Sequence, residues 1–473
     1  MTEERYEPVI GLEVHCELRT ATKLWCACPN EFGGEPNTHI CPICLGLPGT
    51  LPVLNRNAVE YAMRIGTALN CEIKPSKFHR KNYFYPDMPK DFQISQYDEP
   101  INVQGYLDLP TGIRIGIERA HIEEDTGKSS HLGKSGRIHA AYGALVDYNR
   151  AGVPLVEIVS APDIRSSEQA KDYVSELRAV LVATGATDGR MEEGSLRVDA
   201  NVSVRKGPDA PFGTRCEIKN VNSLRSLVRA IEYEIKRQIE VLEDGGRIIQ
   251  QTRHFNEDTL STVALRSKEE AQDYRYFPEP DLPPISPGEA WINKVKEELP
   301  PLPPQRRAKV KEIFGTGDDG QIITLVEQDL DGLFLGVLSH GADGEIAIRR
   351  LLNEAASQIE AARKLDVKDF AALIGMEKSG KLSATQCKAV LAEMLESGGS
   401  PLQIAASLGF EGMKSNELEE VITQIINDNP DAFERFKAGD EKVTQFFVGQ
   451  VMKATKGKAN GKSVIEFLET KKS

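Results

Sequence analysis

The sequence predicts an α+β fold, an antiparallel-sheet domain followed by helices, on three observations. Residues 9–18 and 195–205 alternate apolar and polar side chains with the period of two that marks a strand with one buried face. Three helical stretches lie among such strands without the regular strand–helix alternation of a doubly wound parallel sheet. Nine prolines between Pro278 and Pro304 exclude a long helix or a central strand there, and beyond them the apolar spacing is helical almost throughout.

Each helix has its own signal. The first starts at a cap on Asn55 or Asn57 and aligns Ala58, Ala62, Ile65 and Leu69 on one face. The second follows Ser166-Ser167, carries Ala170, Tyr173, Val174, Leu177 and Leu181, and stops at Gly185. The third begins near Asn222-Ser223, spaces Leu224, Leu227, Ile231, Ile235, Ile239 and Leu242 helically, and ends at Gly245-Gly246. The expected domains are residues 1–292, 293–408 and 409–473, the last break resting on glycines near 398–399 or 409–412.

A hydrophobic fraction of 40% and a charged fraction of 27% suit an ordinary globular enzyme. The net charge of -13 repels phosphate on average, so any nucleic acid must be met by local basic patches. The amino-terminal residues are charged and no run of 18 apolar residues occurs, which argues against a signal peptide or a membrane span and for the cytoplasm.

Cys26-x-Cys28 is followed after twelve residues by Cys41-x-x-Cys44. Two short-spaced thiol pairs joined by a turn-rich loop suit tetrahedral Zn²⁺, and four thiolates leave no open position, so such an ion is structural. The alternative is four free cysteines in a loop.

In residues 9–18, Ile10, Leu12, Val14, Cys16 and Leu18 alternate with Gly11, Glu13, His15 and Glu17. Glu13 and His15 therefore share a face, either as a pair of ligands or as part of a solvated strand face. Residues 121–129 set Glu123, Glu124 and Asp125 before Gly127-Lys128-Ser129, and Glu157 stands alone among aliphatics. A carboxylate in apolar surroundings is costly unless paired or metal-bound. Glu13, His15, Glu157 and one of Glu123 or Glu124 together would suit Mg²⁺, with Mn²⁺ also admitted by the histidine.

Residues 125–129 look like half of a phosphate-binding loop, but Ile122 stands where that loop needs glycine. ATP would then bind on a sheet beside metal and basic side chains, because phosphoryl transfer requires charge neutralisation more than one fold. Arg80 and Lys81 beside three aromatics, Arg197, Asp199 and Asn201 on one strand face, and Lys219 near a helix cap supply that complement.

Together the strings VIGLEVH (9–15), RKNYFYPD (80–87), HIEEDTGKS (121–129), EEGSLRVDAN (192–201) and DYRYFPEPD (273–281) resemble the B subunits of the aspartyl/glutamyl-tRNA amidotransferases, in order along essentially the whole chain. The resemblance implies a cradle domain akin to glutamine synthetase, a helical domain and a small helical tail. It implies ATP-dependent phosphorylation of the side-chain carboxylate of Glu-tRNA(Gln) or Asp-tRNA(Asn), then displacement of phosphate by ammonia. Ammonia would come from the amidase, or A, subunit of the same enzyme, with a small C subunit completing a heterotrimer. The other partners implied are the mischarged tRNA and a non-discriminating aminoacyl-tRNA synthetase. The family's Mg²⁺ ligands carry over to Glu13, His15, Glu124 and Glu157, with Glu123 as rival for the third.

Under this reading Arg80, Lys81 and Arg197 contact phosphate or carboxylate, and Lys128, Ser129, Asp199, Asn201 and Lys219 are expected at the nucleotide. In residues 443–473 six lysines stand against two glutamates, and Lys453, Lys456, Lys458 and Lys462 are the expected tRNA contacts, a solvated helix end being the plainer account. A zinc-stabilised subunit that presents tRNA without catalysing, and a ligase of small carboxylates, are the competing functions.

Overall fold

The computed structural model describes residues 6–132, 142–267, 274–315, 318–410, 415–437, 441–455, 459 and 461–471. The chain divides into two compact units between Pro303 and Pro304. The first holds strands β1 (Glu7–Glu17), β2 (Glu72–Ile73), β3 (Phe78–Asn82), β4 (Phe92–Gln96), β5 (Asn102–Asp108), β6 (Arg114–Glu124), β7 (Lys128–Leu132) and β8 (Gly143–Asp147). It continues with β9 (Pro154–Ser160), β10 (Leu196–Arg205), β11 (Cys216–Val221), β12 (Gln251–Asn256), β13 (Ser261–Ser267) and β14 (Phe277–Pro278). Its helices are α1 (Arg56–Ala68), α2 (Ser167–Ala183), α3 (Leu224–Glu243) and α4 (Glu289–Glu297).

Twelve of the strands form one sheet, ordered β13-β12-β11-β10-β1-β9-β6-β4-β3-β14, with β5 against β6 and β2 against β5; β7 and β8 make a separate ribbon. Among the described residues every pairing is antiparallel except β11 with β12. The α+β expectation holds. Asn55, Ser166 and Ser223 cap α1, α2 and α3, each side-chain oxygen accepting from a backbone N–H of the first turn. Gly185 and Gly245 follow α2 and α3 with φ of 74° and 78°, the left-handed turn that glycine adopts without strain.

The apolar face of β1 fixes the sheet's orientation. Ile10, Leu12, Val14 and Cys16 are fully buried in one core with the inner faces of α1, α2 and α3. Each of the three aliphatic side chains contributes about 1.5–3 kcal/mol when removed from water. A slip of one residue would turn all four outward and drive Glu13 and His15 into that core, so the register is strongly specified.

The first unit runs past residue 292, because α4 fits between Pro287 and Pro300 and packs Trp291, Ile292 and Val295 on the same core. The helices that follow are α5 (Pro303–Phe314), α6 (Asp319–Glu327), α7 (Asp331–Ser339), α8 (Gly344–Asn353), α9 (Ile359–Ala362), α10 (Val367–Lys378), α11 (Ala384–Ser397), α12 (Pro401–Ser407), α13 (Ser415–Asp428), α14 (Pro430–Lys437), α15 (Glu441–Ala454) and α16 (Gly461–Thr470). They build the second unit. Its buried apolar residues form two clusters, one from Val310 to Ala405 and one from Ile422 to Leu468.

Candidate active site

On the sheet face opposite the helices, cross-strand registers assemble charged rows. Across β10, β1, β9 and β6, Arg197 lies opposite His15, His15 opposite Glu157, and Glu157 opposite His121. The next row aligns Asp199, Glu13, Val159 and Arg119. Directly opposed residues of an antiparallel pair project to the same side, so pairing alone delivers these groups to one place. Glu123, one row away on β6, completes the cluster: His15 Nε2 is 3.5 Å from both Glu123 Oε1 and Glu157 Oε2.

Arg197, His15, Glu157, His121, Arg119 and Glu123 line a cavity of about 680 Å³, whose wall also includes Glu13, Lys81, Tyr97, Asp125, Glu217, Lys219, Tyr274 and Tyr276. His15, Glu123 and Glu157 can each turn one donor atom to a common point, all within 4.8 Å of one another. Glu13 lines the same wall but stands outside that trio, accepting from Asn201 Nδ2 at 2.9 Å.

The electrostatics are those of crowded, half-dry carboxylates. Burial would lower the pKa of His15, but its hydrogen bond to Glu157 and the nearby Glu123 and Asp199 outweigh this and push it to about 9. Burial and the adjacent Glu157 raise Glu123 to about 7. Glu13 is raised by burial and by Glu157 and Glu217. Burial opposes the ionised form of Glu157, yet His121, His15 and Arg119 hold it well below the usual carboxylate range. His121 falls to about 4, chiefly through burial, and its buried Nδ1 has no hydrogen-bond partner among the described residues. A divalent cation fits this donor set: two carboxylates and an imidazole converge, and without it the trio must hold protons to limit repulsion.

Several expected residues lie elsewhere. Glu124 points to the other face of β6, where it accepts from Lys90 Nζ and from the Ile94 N–H at 2.7 Å, so Glu123 takes the place in the cluster. Arg80 turns away from Lys81 to Glu279 (2.7 and 2.8 Å) and Asp281 (3.1 Å), stacked 4.2 Å from the Phe92 ring centroid. It ties β14 to β3 and does not line the cavity; Lys81 does. Lys128 and Ser129 are exposed on the β7–β8 ribbon, away from the cavity wall. Asp199 and Asn201 do not line the cavity themselves but bond residues that do, Lys219 at 3.0 Å and Glu13 at 2.9 Å. Lys453 is exposed at the end of α15; Lys456, Lys458 and the side chain of Lys462 lie outside the described residues.

Sequence reasoning missed His121, Arg119, Glu217 and Tyr97. The period-two rule offered the signal for the first: on a strand His121 and Glu123 share a face, and Glu124 cannot join them.

The four thiols of the knuckle converge as well. Cys44 Sγ lies 3.8, 3.7 and 3.6 Å from the Sγ atoms of Cys26, Cys28 and Cys41. A tetrahedron with about 2.3 Å metal–sulfur bonds has edges of about 3.8 Å, so this set fits zinc. The Cys41→Ser variant is expected to lower bound zinc from about one equivalent per chain to near none. Metal analysis of the purified chain checks this, and full occupancy in the variant would rule the site out.

Among the described residues no helix is long and apolar enough to cross a membrane. The GatB/GatE catalytic domain family matches residues 8–293, and the GatB domain family (Yqey type) matches residues 333–471. The B subunit of the aspartyl/glutamyl-tRNA(Asn/Gln) amidotransferase of Carboxydothermus hydrogenoformans is 47% identical over 98% of both chains. The protein of the same name from Brevibacillus brevis is 46% identical over 96% of both, and that from Mycobacterium tuberculosis 46% identical over 98% of this chain and 94% of its own. With residues 8–293 matched to the catalytic-domain family and the relatives similar over 94–98% of their length, this chain belongs to the GatB/GatE family.

Proposed function

We propose that the chain is the kinase and transamidase component of a tRNA-dependent amidotransferase, converting Glu or Asp mis-attached to tRNA into Gln or Asn. The observation that carries this reading is the convergence of His15, Glu123 and Glu157 within a cavity also lined by Lys81, Arg119, Arg197 and Lys219. The relatives' names, each the B subunit of an Asp/Glu-tRNA(Asn/Gln) amidotransferase, agree with it.

A carboxylate resists amidation because its leaving group would be oxide. Phosphorylation by ATP forms an acyl phosphate, with ADP released as the γ-phosphorus–oxygen bond breaks. Ammonia then attacks the acyl carbon, phosphate leaves, and a proton is lost from nitrogen. Mg²⁺ held by His15, Glu123 and Glu157 would supply positive charge opposite the transferring phosphoryl group. Lys81, Arg119, Arg197 and Lys219 surround the space and offset the charge of phosphate and carboxylate. Glu13, whose pKa is raised by burial and by Glu157 and Glu217, would take up the proton that nitrogen loses.

Neutral ammonia is the nucleophile, so direct delivery from a partner amidase (the A subunit), assembled with the small C subunit, suits the reaction better than free ammonium. The proposed tRNA contacts are Lys453, Lys456, Lys458 and Lys462. Zinc in the knuckle is structural on this account. The test is to supply the assembled enzyme with Glu-tRNA(Gln), glutamine and ATP and measure ADP and Gln-tRNA. Their appearance in a one-to-one ratio is expected; amidation without ATP hydrolysis would refute the proposal.

A further inference from the structure

Arg197, the cavity arginine of β10, is not held by the sheet alone. Its Nη2 lies 3.1 Å from Asp125 Oδ1, and the other oxygen of Asp125 is held by Arg150, whose Nη2 also bonds Glu17 Oε1 at 3.0 Å. Asp125 is 4% exposed, so both arginines address a carboxylate that water scarcely reaches. Arg150 sits in the turn after β8, and backbone bonds from Gly152 N–H to Asp125 O (3.0 Å) and from Asp125 N–H to Val153 O (2.8 Å) weld that turn to the residue that follows β6.

The knuckle grips the same turn from outside. The Asn37 N–H donates to Asp147 Oδ1 (3.0 Å) and Asn37 Nδ2 to Val146 O (3.1 Å), while the Tyr148 N–H donates to Asn37 Oδ1 (2.8 Å). The His39 N–H donates to Asn149 Oδ1 (2.8 Å), and Asn149 Nδ2 to Glu35 O (2.7 Å). Lys23, three residues before Cys26 and fully buried, donates to Tyr148 O (3.2 Å) and Ala151 O (2.8 Å). These bonds fall between the two cysteine pairs or directly before them, so the thiolate cluster closes the loop that holds the turn.

The geometry points to a positioning function for the knuckle: through Asn37 it fixes the Tyr148–Val153 turn, and through Arg150 and Asp125 it sets Arg197 for the anionic group that binds in the cavity. This inference rests on the proposed reading that Arg197 meets phosphate or carboxylate. Arg150 is on this account a positioning residue, and the knuckle a clamp rather than a remote stabiliser.

Asn37 has a φ of 60°, a conformation glycine adopts freely, so Asn37→Gly deletes two of the clamp's bonds without backbone strain and without touching a thiol. The experiment measures kcat and the KM for ATP and for mischarged tRNA in the assembled enzyme, with zinc content and Tm alongside. Arg197→Ala, which tests the underlying reading, should raise one of the two KM values by more than about tenfold. Arg150→Ala should raise that same KM about tenfold, and Asn37→Gly about threefold with zinc content unchanged and Tm lowered by no more than a few degrees. Because the residues act in series, Arg150→Ala added to Arg197→Ala should produce no further rise. If Arg197→Ala raises a KM and both Arg150→Ala and Asn37→Gly leave it unchanged, or if the double variant is additive, the clamp is refuted. If Arg197→Ala changes neither KM, the assignment of Arg197 is itself wrong and the clamp falls with it.

Discussion

Glu157→Gln is expected to lower ATP-dependent amidation by about three orders of magnitude while the chain stays folded. The substitution keeps the side chain's volume and removes the negative charge to which His15 and His121 are directed across the sheet, at 3.5 and 3.7 Å. It also resets its neighbours. His15 loses the hydrogen bond and charge that most raise it and should titrate well below 9, while Glu123, relieved of Glu157, should titrate below 7. The sign follows for the metal-free protein. His15 has a folded pKa above its unfolded value, so its contribution to stability is fully present below about 6.5 and lost as pH rises through 9. The denaturation midpoint of the metal-free wild type should therefore fall between pH 6.5 and 9, and that slope should flatten in Glu157→Gln. A variant with near-normal amidation would remove Glu157 from the site.

Glu124→Gln should do the opposite, losing about 3 kcal/mol of stability and leaving the affinity for divalent cations unchanged. The Glu124 side chain is 2% exposed and its Lys90 partner 9% exposed. Glutamine still accepts from the Ile94 N–H, but its amide leaves the Lys90 ammonium buried without a counter-charge. Denaturant titration measures the first effect and Mn²⁺ binding the second. Wild-type stability in this variant would mean that the Glu124–Lys90 pair contributes nothing net.

These two variants mark where the sequence was legible. Alternation along residues 9–18 predicted that Glu13 and His15 share a face, and the structure places both in one cavity wall, because the apolar partners of that alternation are locked into the helical core. The helix caps and the cysteine cluster were legible because short-range chemistry decides them. The choice between Glu123 and Glu124 depends on which face of β6 looks into the cavity, and that is set by pairing with β9, distant in sequence. Arg80 and Lys81 also point oppositely, and only the return of the chain at Glu279 and Asp281 shows which is engaged elsewhere. The Gly-Lys-Ser of residues 127–129 suggested phosphate contacts, but those residues pass into a solvent-exposed ribbon.

The most direct test titrates the full-length chain with Mn²⁺ and records pulsed electron paramagnetic resonance for coupling of the ion to imidazole nitrogen. A histidine nitrogen signal is expected in the wild type and in Glu124→Gln, absent in His15→Ala and weakened with lower affinity in Glu123→Gln. Mn²⁺ that binds without nitrogen coupling, or with equal affinity when Glu123 is neutralised, would contradict a cation centre built from β1, β6 and β9.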